Sequence, residues 1–130
     1  MAAEQAKTVL VVDDASLVRR YYRGALEAAG FRVVEAMNGL EALETLLTTP
    51  VDLLVVDVNM PQMDGLTFLR TLRAKEMPLS SVPALVISSE AQAQDMAAAR
   101  AAGANFYLVK PLDQENLVAY ASLLCGCGRE

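Results

Sequence analysis

A chain of 130 residues that is 54% hydrophobic can bury a core of its own, which excludes a disordered segment or a miniprotein needing staples. Its net charge of −5, from 16 acidic and 11 basic residues, argues against a nucleic-acid binder, which would carry a basic patch. The absence of histidine removes Ser-His triads, imidazole zinc sites and histidine phosphotransfer from this chain.

In chain order, Thr8 to Val12 is β-branched and apolar on both faces, the pattern of a buried parallel strand. Val18, Tyr22, Ala25, Leu26 and Ala29 then recur at helical spacing, and Gly30 is a suitable stop. Arg32 to Ala36 reads as a second strand. Asn38 is a candidate N-cap for a helix carrying Leu40, Leu43 and Leu47 on one face, and Pro50 ends that element. Leu53 to Val56 is the third strand. Leu66, Leu69 and Leu72 mark a helix after Gly65, and Pro78 and Pro83 bracket a loop. Ala84 to Ile87 is the fourth strand. An alanine-rich helix is expected from about Ala91 to Ala102, stopping at Gly103. Phe106 to Val109 is the fifth strand, and Leu117, Tyr120, Ala121 and Leu124 mark the last helix.

Strict alternation of strand and helix predicts an α/β fold: a five-stranded, doubly wound parallel sheet with helices on both faces. A single domain over 1–130 is expected, with its core at about 8–124 and short tails. The opening residues, Met1 to Lys7, lack the basic-then-apolar pattern of a signal peptide, and no apolar run approaches the ~20 residues of a membrane helix. A cytoplasmic protein with no membrane partner is the expectation. Cys125 and Cys127, in a Cys-Gly-Cys tail, have neither zinc-site nor redox-pair spacing and are expected to be reduced, exposed thiols.

In such sheets ligands bind beyond the carboxyl ends of the strands. Those positions hold Asp13-Asp14, Asp57, Ser88-Ser89 and Lys110-Pro111, while the second strand ends in Ala36-Met37 and offers nothing chemical. Three carboxylates at one sheet end repel each other and call for a cation, and a hard divalent ion such as Mg2+ suits an open all-oxygen site. Lys110 adds a mobile positive charge and Ser88 a hydroxyl donor. A metal, an ammonium and a hydroxyl serve phosphoryl transfer, and a carboxylate can itself be the nucleophile. Asp57, at the end of the central apolar strand, is best placed for that role. Taken singly, each residue has a plainer reading. The Asp13-Asp14 pair or the serines could cap helices, Asp57 could open a turn, Lys110 could be solvated, and Tyr107 could be core.

Together, Val12-Asp13-Asp14, Asp57-x-x-Met60-Pro61-x-Met63-Asp64-Gly65, Ser88-Ser89 and Lys110-Pro111 resemble the receiver domains of two-component response regulators, from about Thr8 to Leu124. Within that family the chain is most similar to the single-domain chemotaxis type. The resemblance implies a flavodoxin-like sheet of order 2-1-3-4-5. It implies that Asp57 accepts phosphate from the phosphohistidine of a sensor histidine kinase. Mg2+ would be bound directly by Asp14, Asp57 and the Asn59 backbone carbonyl, and through water by Asp13. Lys110, joined to Pro111 by a cis peptide, would pair with a phosphoryl oxygen, and Ser88 would donate to it. Tyr107 would swing inward as Ser88 moves, coupling the site to the face of the fourth helix, fifth strand and fifth helix. Asn59 and Glu90 match the pair that goes with a short-lived acyl phosphate.

Ser89 stands where Ala or Gly is usual, and Ala91 to Asp95 lacks the lysines of chemotaxis members. No further enzymatic activity is implied beyond self-phosphorylation from a phosphodonor and self-dephosphorylation. The expectation is a monomer without an attached effector domain, acting by binding another protein or as a phosphate sink. The alternative is a small Asp-nucleophile, Mg2+-dependent phosphohydrolase, but that class usually has a second Asp where Asn59 stands. A nucleotide- or flavin-binding module lacks support, because no glycine-rich loop follows the first strand.

Overall fold

The computed structural model describes residues 6–60 and 62–126. The elements run β1 (Thr8–Val12), α1 (Ser16–Ala28), β2 (Arg32–Ala36), α2 (Gly39–Thr48), β3 (Leu53–Asp57), α3 (Gly65–Arg73), β4 (Ala84–Ser88), α4 (Ala93–Ala102), β5 (Phe106–Val109) and α5 (Gln114–Cys125). The proline-bracketed loop contains a short 3-10 turn at Leu79–Ser81. All neighbouring strands pair in parallel, in the order β2-β1-β3-β4-β5.

Local chemistry explains several helix boundaries. The Asn38 side chain accepts from the Glu41 N–H at 2.9 Å and opens α2. Asp64 and Asp113 cap α3 and α5 in the same way, from Thr67 N–H at 2.8 Å and Asn116 N–H at 2.7 Å. Helix α4 begins two residues later than its alanine pattern suggests. Gln92 stands at its N-cap, and its N–H donates to the Asp95 carboxylate at 3.3 Å. Gly103 ends α4 with φ of 112°, a conformation that side chains other than glycine's resist.

The pleat sorts the sheet residues onto two faces. Val9, Val11, Val33, Leu53, Val55, Leu85 and Ile87 pack against Tyr22, Leu26, Leu117 and Ala121 of α1 and α5. Leu10, Val12, Ala36, Leu54, Val56, Ala84 and Val86 pack against Ala42, Leu46, Phe68, Leu69, Leu72 and Ala99 of α2, α3 and α4. Strands β1, β3 and β4 are buried apart from Thr8, so three of them read as continuous apolar runs. Cys125 is half-buried against the α1/α5 core rather than exposed, because α5 extends through it. Cys127 lies outside the described residues.

Candidate acidic centre at the strand ends

Strands β3 and β4 each run one residue beyond their apolar stretch, so Asp57 and Ser88 are the last residues of their strands and both are buried. Period-two alternation puts Asp57 in line with Leu53 and Val55, toward α1 and α5, and Ser88 in line with Ala84 and Val86, toward α3 and α4. Asp13 follows directly on β1 and continues the α1-facing row of Val9 and Val11. The approach of β3 to α3 depends on Gly65, where a Cβ would strike the Asp57 carbonyl oxygen.

Carboxylate oxygens of Asp13, Asp14 and Asp57 all lie within 4.8 Å of one another. Lys110 reaches in from the end of β5 and donates from Nζ to Asp57 Oδ1 at 3.1 Å, with Asp13 Oδ2 at 3.9 Å. The Lys110–Pro111 peptide is cis, as is Met77–Pro78. Asp13 Oδ1 accepts from the Ala15 N–H at 2.9 Å, whereas Asp13 Oδ2 is buried without a hydrogen-bond partner among the described residues. Burial raises the Asp13 carboxyl above its ordinary value, opposed by the Ala15 hydrogen bond and Lys110. Burial, then the Asp13 charge, raises Asp57, opposed by Lys110. Tyr22, under the cluster, is pushed up to about 12 by burial and by the charges of Asp13 and Asp57.

This is a site short of positive charge. One ammonium faces three carboxylates, and a buried oxygen has an unused lone pair, which costs free energy unless a ligand takes it up. The donors are hard oxygens and Asp14 is exposed, so solvent reaches the cluster. The residues present therefore fit a small divalent cation that keeps some of its water, as Mg2+ does.

The other sequence-predicted residues form a second group. Ser88 Oγ accepts from the Glu90 N–H at 3.0 Å, and the Tyr107 hydroxyl donates to the Glu90 carbonyl at 2.8 Å. These residues, with Val58, Leu66, Asp95 and Ala98, line a cavity of about 50 Å³ between β4, α4 and β5. Asn59 lies exposed in the loop after β3. Tyr107 packs against the core as its plainer reading expected, but the helix-cap and free-lysine readings do not describe the fold. The N-cap of α1 is Ala15, neither aspartate; that of α4 is Gln92, neither serine; and Lys110 is ion-paired.

Residues 9–122, most of the chain, match the family model described as the response regulator receiver domain. The chain is a receiver domain of the two-component response regulator family. It is 40% identical over 116 residues to the transcriptional regulatory protein PrrA of Mycobacterium leprae and to that of Mycobacterium tuberculosis, covering 89% of this chain and 48% of each relative. It thus spans about half the length of the curated relatives it matches. Among solved structures, it resembles the Vibrio cholerae chemotaxis protein CheY4 with a TM-score of 0.86 at 30% identity, covering 92% of this chain and 99% of the other. The receiver domain of the Francisella response regulator 1452 matches with a TM-score of 0.85 at 26% identity, covering 95% and 99%. The sheet order 2-1-3-4-5 of this receiver is the one expected from the resemblance.

Three residues at this receiver's working end escaped the reading of strand ends. Glu35, one residue before the end of β2, ties Arg19 and Arg23 of α1 together, and Arg19 contacts the Asp13 backbone. The second strand therefore does carry chemistry. The available signal was a carboxylate following the apolar pair Val33-Val34 within the strand, which must find a partner when partly buried.

Proposed function

We propose that this receiver domain accepts a phosphoryl group on Asp57. The observation that carries the reading is Asp57 Oδ1 at 3.1 Å from Lys110 Nζ, inside a carboxylate cluster that leaves Asp13 Oδ2 unsatisfied. An Asp57 oxygen attacks phosphorus, the bond from phosphorus to the donor imidazole nitrogen breaks, and the electron pair leaves with a histidine of the sensor kinase. Asp14, Asp57 and the Asn59 carbonyl, with Asp13 through water, would hold Mg2+, which would supply positive charge to neutralise the phosphoryl oxygens. Lys110 transfers its hydrogen bond from the Asp57 carboxylate to a phosphoryl oxygen. An apolar groove of about 500 Å³, lined by Leu17, Tyr21, Pro111 and Leu112, adjoins Lys110.

The phosphoryl group brings about −1.5 to −2 charges and strong acceptors. Ser88 Oγ accepts from the Glu90 N–H, so a hydroxyl that turns or moves to donate to a phosphoryl oxygen pulls on Glu90, whose carbonyl holds the Tyr107 hydroxyl. Charge at Asp57 is thereby coupled to the α4-β5-α5 face, biasing a two-state equilibrium toward the partner-binding form. Output is through a protein partner or by draining a shared kinase. Water then attacks phosphorus, the bond to the Asp57 oxygen breaks, and inorganic phosphate leaves. With Asn59 and Glu90 beside the site, the acyl phosphate is expected to last seconds to minutes.

Incubation with Mg2+ and acetyl phosphate, followed by intact mass, tests the acceptor. One added phosphoryl group is expected on the native chain and none on Asp57→Asn. Equal labelling of both would refute the assignment. Persistence of most of the label after an hour would refute the short lifetime.

A further inference from the structure

Asp13 has every polar atom but one tied down. Its N–H donates to the Ala36 carbonyl at 3.1 Å, and its Oδ1 accepts from Ala15. Its carbonyl accepts from Arg19 Nη1 at 2.7 Å. The Arg19 side chain is only 14% exposed and is itself fixed, since Nε donates to Glu35 Oε1 at 2.8 Å. The other Glu35 oxygen accepts from Arg23 Nη1 at 2.7 Å, and Arg23 Nε donates to Glu27 at 2.9 Å. A chain of alternating charges thus runs from the surface of α1, through β2, to the peptide joining Asp13 to Asp14. Two guanidinium groups and two carboxylates balance, so the chain holds position without adding net charge beside the acidic cluster.

We propose that Arg19, locked by Glu35, is a positioning residue for cation binding: it clamps the Asp13 carbonyl and so fixes the peptide that carries two of the three carboxylates. The assignment rests on the Mg2+ reading above. Without the clamp, the Asp13–Asp14 peptide plane can rotate, and Asp14, exposed and without a side-chain hydrogen bond of its own to orient it among those the structure shows, loses its orientation. Cation binding then has to order what the fold had already ordered.

The sign of the effect separates positioning from simple electrostatics. If Arg19 acted only through its charge, removing a cation near the cluster would tighten Mg2+ binding. If it served stability alone, the melting temperature would fall with no change in affinity. Positioning predicts weaker binding in a chain that is still folded.

Mg2+ titration of the full chain, followed by amide shifts of Asp14 and Ala15, tests this. Arg19→Gln is expected to weaken Mg2+ binding about 10-fold, the scale seen when a group orienting metal ligands is removed. Arg23→Gln, which breaks the outer half of the network and leaves the clamp, should stay within about twofold of the native chain. The rate of phosphorylation from acetyl phosphate should show a raised Mg2+ half-saturation with its maximum retained. Unchanged or tighter binding by folded Arg19→Gln overturns the inference and leaves the Mg2+ reading standing. No binding by the native chain overturns both. If Arg19→Gln loses its dispersed amide spectrum, Arg19→Lys, which keeps the charge but not the guanidinium fork, replaces it. Weaker binding by Arg19→Lys, with the spectrum kept, supports the clamp, and native affinity refutes it.

Discussion

At the residue scale, Asp13 and Asp57 subtract stability from the folded chain. Both are buried acids raised above the ordinary carboxylate value of 3.8, chiefly by burial. As pH rises, the unfolded chain ionises first and is favoured, so these groups subtract stability from about that value up through their folded values. Asp13→Asn should therefore stabilise the metal-free chain by on the order of 1–2 kcal/mol at neutral pH. The amide keeps the oxygen that accepts from Ala15 and gives its NH2 to neighbouring carboxylates. Urea titrations across pH check the sign: the advantage over the native chain should vanish in acid, where both states are protonated, and grow to a plateau above. Glu35 behaves oppositely. Arg23 and Arg19 hold it below its ordinary value against a smaller rise from burial, so its contribution is present at neutral pH and lost as pH falls through its folded value.

Single elements depend on close approaches that no helical periodicity reveals. Gly65 lets the first turn of α3 sit on the end of β3, and a methyl group there would meet backbone, which cannot yield as a side chain can. Gly65→Ala is expected to cost about 2–4 kcal/mol and to disturb Asp57, lowering both the urea midpoint and the rate of labelling. Arg73, at the end of α3, donates to the carbonyls of Gly103, Ser80 and Val82 and to the Asn105 side chain. It ties the C-terminal end of α4 to α3 and the loop before β4. Only Ala99 and Ala102 of α4 are buried, both in its second half, so the half nearer Ser88 is held less firmly. Arg73→Met should cost about 2–4 kcal/mol by stranding those acceptors and should speed amide exchange throughout α4. Faster exchange confined to α3 would count against the anchor.

For the molecule as a whole, the central consequence is linkage between cation binding and folding. A cation that binds only the folded cluster stabilises the domain by about 2.7 kcal/mol when present at 100 times its Kd. Thermal melting should shift upward with added Mg2+ and return on chelation. Asp14→Asn should abolish most of that shift, because Asp14 is the exposed carboxylate of the three. Equal shifts in both proteins would place the cation elsewhere. Among the described residues no helix is long and apolar enough to cross a membrane.

Much of this architecture is legible in the chain itself, because its signals are local. β-branched apolar runs mark the strands, Asn38 and Gly103 punctuate helices, and the acids, serine and lysine stand directly after the runs that become β1, β3, β4 and β5. A parallel sheet turns those positions into neighbours, so alternation of strand and helix was enough to expect Asp13, Asp14, Asp57 and Lys110 at one end. What tertiary structure alone decided is which face each side chain takes and what holds it there. Pleat parity sends Asp57 and Ser88 to opposite sides of the sheet, and the side-by-side register of Val11 with Glu35 brings a β2 carboxylate within reach of α1. Those relations depend on the pairing of distant segments and on packing distances, and neither is encoded by the periodicity of any single stretch.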